Sequence, residues 1–254
     1  MDELLTRSDV SDPASRPPEP MHEKLTRAVS EGKETMPESV DPLVCKPKKL
    51  ESWRIFKIMS EFVEGFELVQ KYALAASFFG TTRGTFEPHF YESATKLAEL
   101  LSKKGFAIVT GGASGIMEAA NKGAHIAGGA SIGLNIELPN EQRGNNYLTD
   151  NIFFNHFFVR KTMLSFASEV YIYFPGGFGT LDEFFEMITL IQTKKIKRVP
   201  MVLFGSEYWN PLIEFFKTKL LAEHQAIDAE DMNLFFLTDS VDEAYEYIIN
   251  NVKC

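Results

Sequence analysis

The chain of 254 residues has very little cysteine and no long apolar run. Its two cysteines, Cys45 and Cys254, lack the spacing of metal ligands, which argues against a disulfide framework and against a cysteine-based metal site. No stretch approaches the roughly 18 apolar residues that a membrane-spanning helix needs, and the acidic, proline-containing N-terminus lacks the apolar segment of a signal peptide. We therefore expect a cytoplasmic protein without membrane or metal partners.

An excess of positive charge is also absent. The 26 Lys and Arg residues against 35 Asp and Glu residues give a net charge of −9, so long-range attraction to a nucleic-acid polymer or to an anionic membrane is not expected. Any anionic ligand must be captured by local groups. Hydrophobic residues make up 44% of the chain, which is enough for the core of one α/β domain.

The distribution of proline divides the chain into two parts. Residues 1–50 hold seven of the twelve prolines and few large apolar residues, which predicts a flexible tail. Residues 51–254 are expected to form a single domain that begins with an amphipathic helix over 51–72. Apolar residues recur in it at helical spacing and are expected to pack on the main domain. They are Trp53, Phe56, Met59, Phe62, Val63, Phe66 and Val69.

The rest of the chain alternates apolar runs with helical patterns, as in βα units around a mostly parallel sheet with helices on both faces. In such an open sheet, ligands bind beyond the carboxyl ends of the strands. The predicted strands are 75–79, 106–110, 131–136, 170–174, 199–204 and 234–237. The predicted helices are near 90–103, 116–127, 155–168, 180–193, 209–223 and 240–250.

The run of residues 175–183, PGGFGTLDE, lies between an apolar strand and a helical pattern. Its glycines let backbone N–H groups approach a phosphate, the helix N-terminus adds partial positive charge, and Thr180 adds a hydroxyl donor. The run therefore predicts an anion-binding loop. Glu183 falls in the first helical turn, where it either caps the helix or acts as a catalytic carboxylate beside the bound phosphate.

Two earlier turns are expected at the same edge of the sheet. Residues 79–84 offer hydroxyls and the Arg83 guanidinium, although a plain solvated connection is the alternative interpretation. Residues 110–118 form a glycine-rich βα turn without the full dinucleotide pattern, which favours a nucleotide pocket over NAD binding.

The helical run 156–164 carries the adjacent cations Arg160 and Lys161. Because neighbouring helical residues point about 100° apart, at most one of them can face squarely into a pocket. Arginine has the planar fork that suits anion recognition. A solvated charge pair at a helix edge remains an equally good interpretation of this run.

These motifs together resemble those of the Lonely Guy (LOG) family of nucleoside-5′-monophosphate phosphoribohydrolases. The similar segments are RKTMLSFASEVYIYFPGGFGTLDE, TGGASGIMEAANKGA and SIGLNIELPNEQ, and the resemblance runs from about residue 75 to 252. It implies a Rossmann-like fold, assembly as dimers or higher oligomers, and hydrolysis of a purine nucleoside 5′-monophosphate without a cofactor. Members have often been labelled lysine decarboxylases, but the chain offers no recognisable context for a Schiff-base lysine.

The resemblance also implies roles for individual residues. The essential arginine and the catalytic glutamate fall on Arg160 and Glu183. The residues expected to hold the 5′-phosphate are Gly176, Gly177, Gly179 and Thr180. The other expected ligand contacts are Lys161, Phe178, Asp182, Thr189, Gly111, Gly112 and Met117. Glu137 and Glu141 are weaker candidates for a ribose or base contact, with surface-loop carboxylates as the alternative interpretation. A carrier that binds a nucleotide or cofactor without catalysis is the alternative function, since the same loop can bind phosphate without chemistry.

Overall fold

The computed structural model describes residues 52–83, 88–137 and 144–253. The predicted tail over residues 1–50 lies outside these ranges. The α-helices are α1 (Trp53–Val69), α2 (Pro88–Lys103), α3 (Ile116–Ile126), α4 (Phe157–Phe166), α5 (Phe178–Gln192), α6 (Ser206–Phe215) and α7 (Val241–Asn251). The strands are β1 (Ala75–Phe79), β2 (Ala107–Thr110), β3 (Ser131–Ile136), β4 (Asp150–Phe154), β5 (Val170–Tyr173), β6 (Met201–Phe204) and β7 (Phe236–Thr238).

These strands form one sheet in the order β4-β3-β2-β1-β5-β6-β7, and every pairing between them is parallel. The chain starts at the centre with β1, adds strands on one side as far as β4, and then crosses back to place β5 on the other side of β1. This is the doubly wound, Rossmann-like arrangement, so the predicted fold class is confirmed. The carboxyl ends of β1 and its neighbours define the edge where ligands bind in such sheets.

Both faces of the sheet are covered. Alternate residues of a strand point to opposite faces, so Phe79 and Tyr173 belong to one buried cluster while Phe78 and Ile172 belong to the other. The first cluster packs under α1, α4, α5 and α6, and the second under α2, α3 and α7. Because the central strands are buried on both faces, their sequences are continuous apolar runs.

Two features differ from the sequence-based expectations. Strand β4 was not predicted, because its sequence DNIFF begins with polar residues and it lies at the sheet edge with alternating exposure. The helix predicted over 209–223 begins at Ser206 and continues beyond Phe215 as a wider π-helical segment, Phe216–Glu223. Pro211 lies inside α6 as its sixth residue, where a proline removes one hydrogen bond of the helix.

Helix α1 is present as predicted, but the expectation that its whole apolar stripe packs on the domain is wrong. The buried residues of α1 are Glu61, Gly65 and Leu68. Gly65 lies so close to the side chain of Met163 on α4 that a β-carbon at this position would overlap it. Five members of the predicted stripe are instead largely exposed: Trp53, Phe56, Met59, Val63 and Phe66.

Candidate functional site

The three predicted turns meet at the carboxyl edge of the sheet. Thr81 N–H, after β1, donates to the carbonyl of Pro175, after β5, at 3.0 Å. Ile116 N–H, at the start of α3, donates to the carbonyl of Thr81 at 3.0 Å. The turn after β1 therefore joins the other two. Its Gly80 lies so close to Ile116 that a β-carbon at this position would overlap that side chain, and Arg83 is exposed.

The glycine-rich turn after β2 is braced by a buried amide network that sequence analysis did not identify. Gly112 has φ +73°, which favours glycine, and its N–H donates to Thr110 Oγ1 at 2.9 Å. Thr110 Oγ1 in turn donates to Asn121 Oδ1 at 2.7 Å. Asn145 Nδ2 donates to the same Asn121 oxygen at 2.9 Å. Asn145 lies in a loop distant in sequence, so no local pattern could have found this contact.

Arg160, on α4, is held against this turn. Its Nε donates to the carbonyl of Leu134 near the carboxyl end of β3 at 2.7 Å. A β-carbon on Gly111 would overlap Arg160 Nη2 and would lie 2.8 Å from Met117 Sδ. The guanidinium therefore lies over the bare backbone of Gly111, with Met117 beside it. The predicted contacts Gly111 and Met117 are thereby brought together with Arg160.

The PGG loop opens α5. Gly177 is the N-cap residue of α5, and the first backbone N–H groups of such a helix have no intrahelical acceptor. Gly177, Phe178 and Gly179 are exposed, and a β-carbon at either glycine would have no neighbouring atom within 4 Å. Thr180 is buried, with its side chain against Gly176. The loop therefore presents open N–H donors at the positive end of a helix, as an anion-binding loop requires.

A residue outside the motifs also forms a hydrogen bond to this loop. Tyr208, on α6, donates its hydroxyl to the carbonyl of Gly176 at 2.7 Å. Tyr208 lies 32 residues beyond that glycine, and an isolated tyrosine in a helix carries no sequence signal of this role. The contact gives the Gly176 carbonyl a hydrogen-bond donor and ties the loop to α6.

Glu183 lies one and a half turns into α5, and the pKa of its carboxyl is raised. Burial raises the pKa of its carboxyl to about 7, against the opposing charges of Arg160 and Lys161, while Glu186 and Asp182 raise it further. Beneath it, the buried Tyr173 hydroxyl donates to the Glu183 backbone carbonyl at 3.3 Å. A carboxyl with a pKa near neutrality beside an anion-binding loop suits proton transfer or the stabilisation of positive charge.

Lys161 faces the acidic side chains of α5. Its Nζ lies 2.6 Å from Asp182 Oδ1 and 3.3 Å from Glu186 Oε2. Burial acts to lower the pKa of Lys161, but the hydrogen bond to Asp182 and the charges of Glu186 and Asp182 raise it above the ordinary value. Lys161 is thus a protonated link between α4 and α5, and Arg160 is the member of the pair that reaches β3.

Helix α4 is anchored at its start by α1. The side chain of Glu61 accepts hydrogen bonds from His156 N–H at 3.2 Å and pairs with His156 Nδ1 at 3.0 Å. His156 is the N-cap residue of α4, the helix that carries Arg160. A carboxylate at a helix N-terminus is also favoured by the helix dipole.

We expect Glu61→Leu to lower the free energy of unfolding by about 1–3 kcal/mol, because it leaves two half-buried donors of His156 without an acceptor. Chemical denaturation of the full chain would measure the change. Glu61→Gln retains one acceptor and should lose less than half as much. Equal losses for the two variants would contradict this expectation, because the amide oxygen of the introduced glutamine would then recover none of the hydrogen bonding to His156.

Some predicted contacts lie apart from this cluster. Thr189 is exposed in the last turns of α5, on the order of 16 Å along the helix axis from its start. Glu137 is exposed just after β3, at the correct edge of the sheet. Glu141 lies outside the described residues. Across those residues, no group of three or more His, Cys, Asp or Glu side chains is positioned to hold a metal ion, and none of the helices is both long and apolar enough to cross a membrane.

The sequence of the chain is similar to one family model and to several known proteins. A family model described as "Possible lysine decarboxylase" matches residues 117–248, slightly more than half of the chain. A probable cytokinin riboside 5′-monophosphate phosphoribohydrolase of rice, Oryza sativa subsp. japonica, is 31% identical over 170 residues, covering 65% of this chain and 72% of that protein. A cytokinin riboside 5′-monophosphate phosphoribohydrolase of Rhodococcoides fascians is 26% identical over 151 residues, covering 58% and 71%.

The fold is similar to that of solved structures. The molybdenum cofactor carrier protein of Chlamydomonas reinhardtii superposes with a TM-score of 0.52 at 21% identity, covering 70% of this chain and 99% of that one. At this level of identity the similarity bears on the fold alone.

Proposed function

The chain belongs to the Lonely Guy (LOG) family, and we propose that it hydrolyses the N-glycosidic bond of purine nucleoside 5′-monophosphates, AMP or an N6-modified cytokinin type. The products are the free base and ribose 5-phosphate. The observation that carries the proposal is the Glu183 carboxyl, with a pKa raised to about 7, in the helix that opens with the exposed glycines of the PGG loop.

In the proposed reaction the bond between the base nitrogen and C1′ of the ribose breaks while water adds to C1′. Positive charge develops on the sugar as the base departs, and the ionised Glu183 carboxylate stabilises this charge and accepts a proton from the attacking water. The base leaves as the neutral species after gaining a proton from solvent, and Glu183 returns to solvent the proton that it took from water, so that the net reaction consumes one water molecule. No metal or redox group takes part in this scheme.

The remaining groups bind and orient the substrate. The open N–H groups at the start of α5, with the Thr180 hydroxyl, would receive the 5′-phosphate. Arg160, fixed by its hydrogen bond to Leu134, would offset negative charge on the phosphate or on the departing base. Binding energy from the phosphate, which does not react, aligns the glycosidic bond with Glu183.

The test is chromatographic detection of free adenine after incubation of the purified full chain with AMP, with adenosine as the matched substrate. We expect adenine from AMP and at least 100-fold lower kcat/KM for adenosine, because adenosine lacks the group that the loop binds. Parallel assays with GMP, CMP and N6-isopentenyl AMP define the base preference. Equal rates with AMP and adenosine would contradict phosphate-directed binding, and no release from any nucleotide would contradict the hydrolase.

The reaction should depend on pH through Glu183. Because the carboxylate must be ionised and its pKa is raised to about 7, kcat should rise about tenfold per pH unit below that value and level off above it. A pH–rate profile between pH 5 and 9 measures this. A rate that falls over the same interval would assign Glu183 the role of a general acid instead.

Lys161 argues against amino-acid decarboxylation. A Schiff-base lysine is activated by a lowered pKa, whereas the ion pairs of Lys161 with Asp182 and Glu186 raise its pKa. A non-catalytic carrier is the second candidate, because a molybdenum cofactor carrier protein has a similar fold. Protein purified with an absorbing ligand and inactive on all nucleotides would favour the carrier. The cytoplasmic location and homo-oligomeric assembly expected from the sequence remain predictions.

A further inference from the structure

The two carbonyl groups at the start of the PGG loop each accept a hydrogen bond from another part of the fold. The carbonyl of Pro175 accepts from Thr81 N–H at 3.0 Å, and the carbonyl of Gly176 accepts from the Tyr208 hydroxyl at 2.7 Å. A trans peptide unit is planar, so its C=O and its N–H point in opposite directions. The first bond therefore sets the direction of the Gly176 N–H, and the second sets that of the Gly177 N–H.

The peptide between Gly176 and Gly177 is only weakly restrained by its own sequence. Neither residue has a β-carbon, so the plane of this peptide can turn over at little steric cost. In the turned-over conformation a carbonyl oxygen, instead of an N–H, would face an anion at the start of α5. The oxygen would repel the anion, so a phosphate-binding loop with this sequence needs an outside donor to fix the peptide.

We propose that Tyr208 is a positioning residue of the anion-binding loop, and that its hydroxyl holds the Gly176 carbonyl so that the Gly177 N–H points to the phosphate. Tyr208 acts through the backbone and does not contact the ligand. This role rests on the proposed function for the identity of the ligand, a sugar phosphate, and not for the cleavage of the glycosidic bond.

The start of α6 places Tyr208 against the loop. Strand β6 pairs with β5, so the turn after β6 lies beside the PGG loop. Gly205, the N-cap residue of α6, has φ +102°, and a β-carbon on it would lie 3.2 Å from Pro175 Cγ. Trp209 is fully buried, and its ring centroid lies 4.9 Å from that of Tyr208. The Tyr208 ring is therefore held by packing that does not involve its hydroxyl.

The effect of Tyr208 extends to the hydroxyl donor of the loop. A β-carbon on Gly176 would overlap Thr180 Oγ1, so Gly176 cannot shift without disturbing the Thr180 side chain. Burial raises the pKa of the Tyr208 hydroxyl, against the opposing effect of its hydrogen bond to Gly176. The hydroxyl thus stays protonated near neutral pH and remains a donor there.

The test is isothermal titration of the full chain with ribose 5-phosphate, for the wild type and for Tyr208→Phe, which removes the hydroxyl and keeps the ring. We expect the Kd of the variant to rise on the order of tenfold, because one donor of the loop is no longer oriented. The KM for AMP should rise by a similar factor while kcat stays within about threefold, as for the loss of a binding contact far from the reacting bond. The rate with adenosine, which has no phosphate, should not change.

Tyr171→Phe is the matched control, because the more deeply buried Tyr171 hydroxyl also donates to a backbone carbonyl at 2.7 Å, that of Ser165. It should lower the melting temperature at least as much as Tyr208→Phe and leave the Kd unchanged. A Kd within twofold of wild type for Tyr208→Phe, or equal rises in the two variants, would overturn the proposed role. So would a wild type that does not bind ribose 5-phosphate. A tenfold rise in Kd in a protein that releases no base from any nucleotide would support the role of Tyr208 and contradict the hydrolysis alone.

Discussion

Replacing Glu183 by glutamine is expected to lower kcat for AMP by on the order of 10³-fold while raising the melting temperature at pH 8 by on the order of 5 °C. The loss of activity follows because the amide can neither accept the proton of water nor carry the charge that stabilises the sugar cation. The gain in stability follows because the variant removes a carboxylate whose ionised form is disfavoured by burial. Activity assays and thermal denaturation measure the two effects.

The sign of the stability effect follows from proton binding. The pKa of Glu183 is raised to about 7 in the folded chain from the ordinary value of 4.5, so the folded state binds the proton more tightly. Its contribution to stability is present below pH 4.5 and is lost as the pH rises through 7. The loss is on the order of 2 kcal/mol after allowance for partial screening by solvent. The Glu183→Gln variant should therefore have nearly the same stability as the wild type at pH 4.5 and a higher stability at pH 8.

Glu169→Gln is a matched control for this experiment. Glu169 is also half-buried with a pKa raised by burial, but it accepts a hydrogen bond from Ala75 N–H at 2.7 Å, at the start of β1 and thus at the opposite edge of the sheet. The kcat of the Glu169→Gln variant should remain within about twofold of the wild-type value. If Glu183→Gln retained near-wild-type turnover, Glu183 would not be the catalytic carboxylate. If it lost activity without any pH-dependent gain in stability, its raised pKa would be in doubt.

Replacing Arg160 by lysine is expected to lower kcat/KM for AMP by about 10²-fold, although the positive charge is kept. Arg160 donates through Nε to Leu134 while its terminal nitrogen Nη2 lies over Gly111. Lysine has one nitrogen on a flexible stem and cannot hold both positions. Steady-state kinetics of the purified variant would measure the loss, with adenosine as a second substrate to separate phosphate contacts from base contacts.

Gly111→Ala is expected to lower kcat/KM for AMP by a similar factor, although Arg160 itself is kept. The added methyl group would occupy the place of Arg160 Nη2. Arg198→Lys is the matched control, since Arg198 also donates to a backbone carbonyl, that of Asn233, but at an exposed site. Arg198→Lys should keep wild-type kinetics. Full activity of both Arg160→Lys and Gly111→Ala would exclude a fixed guanidinium from the mechanism.

Much of the site was predictable because its signals are local. The PGG loop is an apolar strand, a glycine turn and a helix start in consecutive residues, so its conformation depends on neighbours along the chain. The turns after β1 and β2 were predictable in the same way, and parallel strands bring their carboxyl ends to one edge. Which contacts these turns make with a ligand stays a prediction, including that of Thr189.

Other features depend on contacts between residues far apart in sequence. The bracing of Gly112 by Asn145 and of Gly176 by Tyr208 joins segments separated by 33 and 32 residues. Strand β4 has no continuous apolar run, because an edge strand is only partly buried. Neither kind of feature leaves a periodic pattern in the sequence.

Apart from the edge strand β4, the sequence by itself determined the order of strands and helices and the three turns. It placed Glu183 in the first turn of its helix, whereas the structure places this residue one and a half turns into α5. Only the tertiary structure decided which side of α1 is covered, because Glu61 and Gly65 face inward to meet His156 and Met163 while larger apolar residues stay outside. It also decided the acidity of Glu183. Periodicity reports that a helix has an apolar side, but burial and pKa depend on which distant atoms pack against that side.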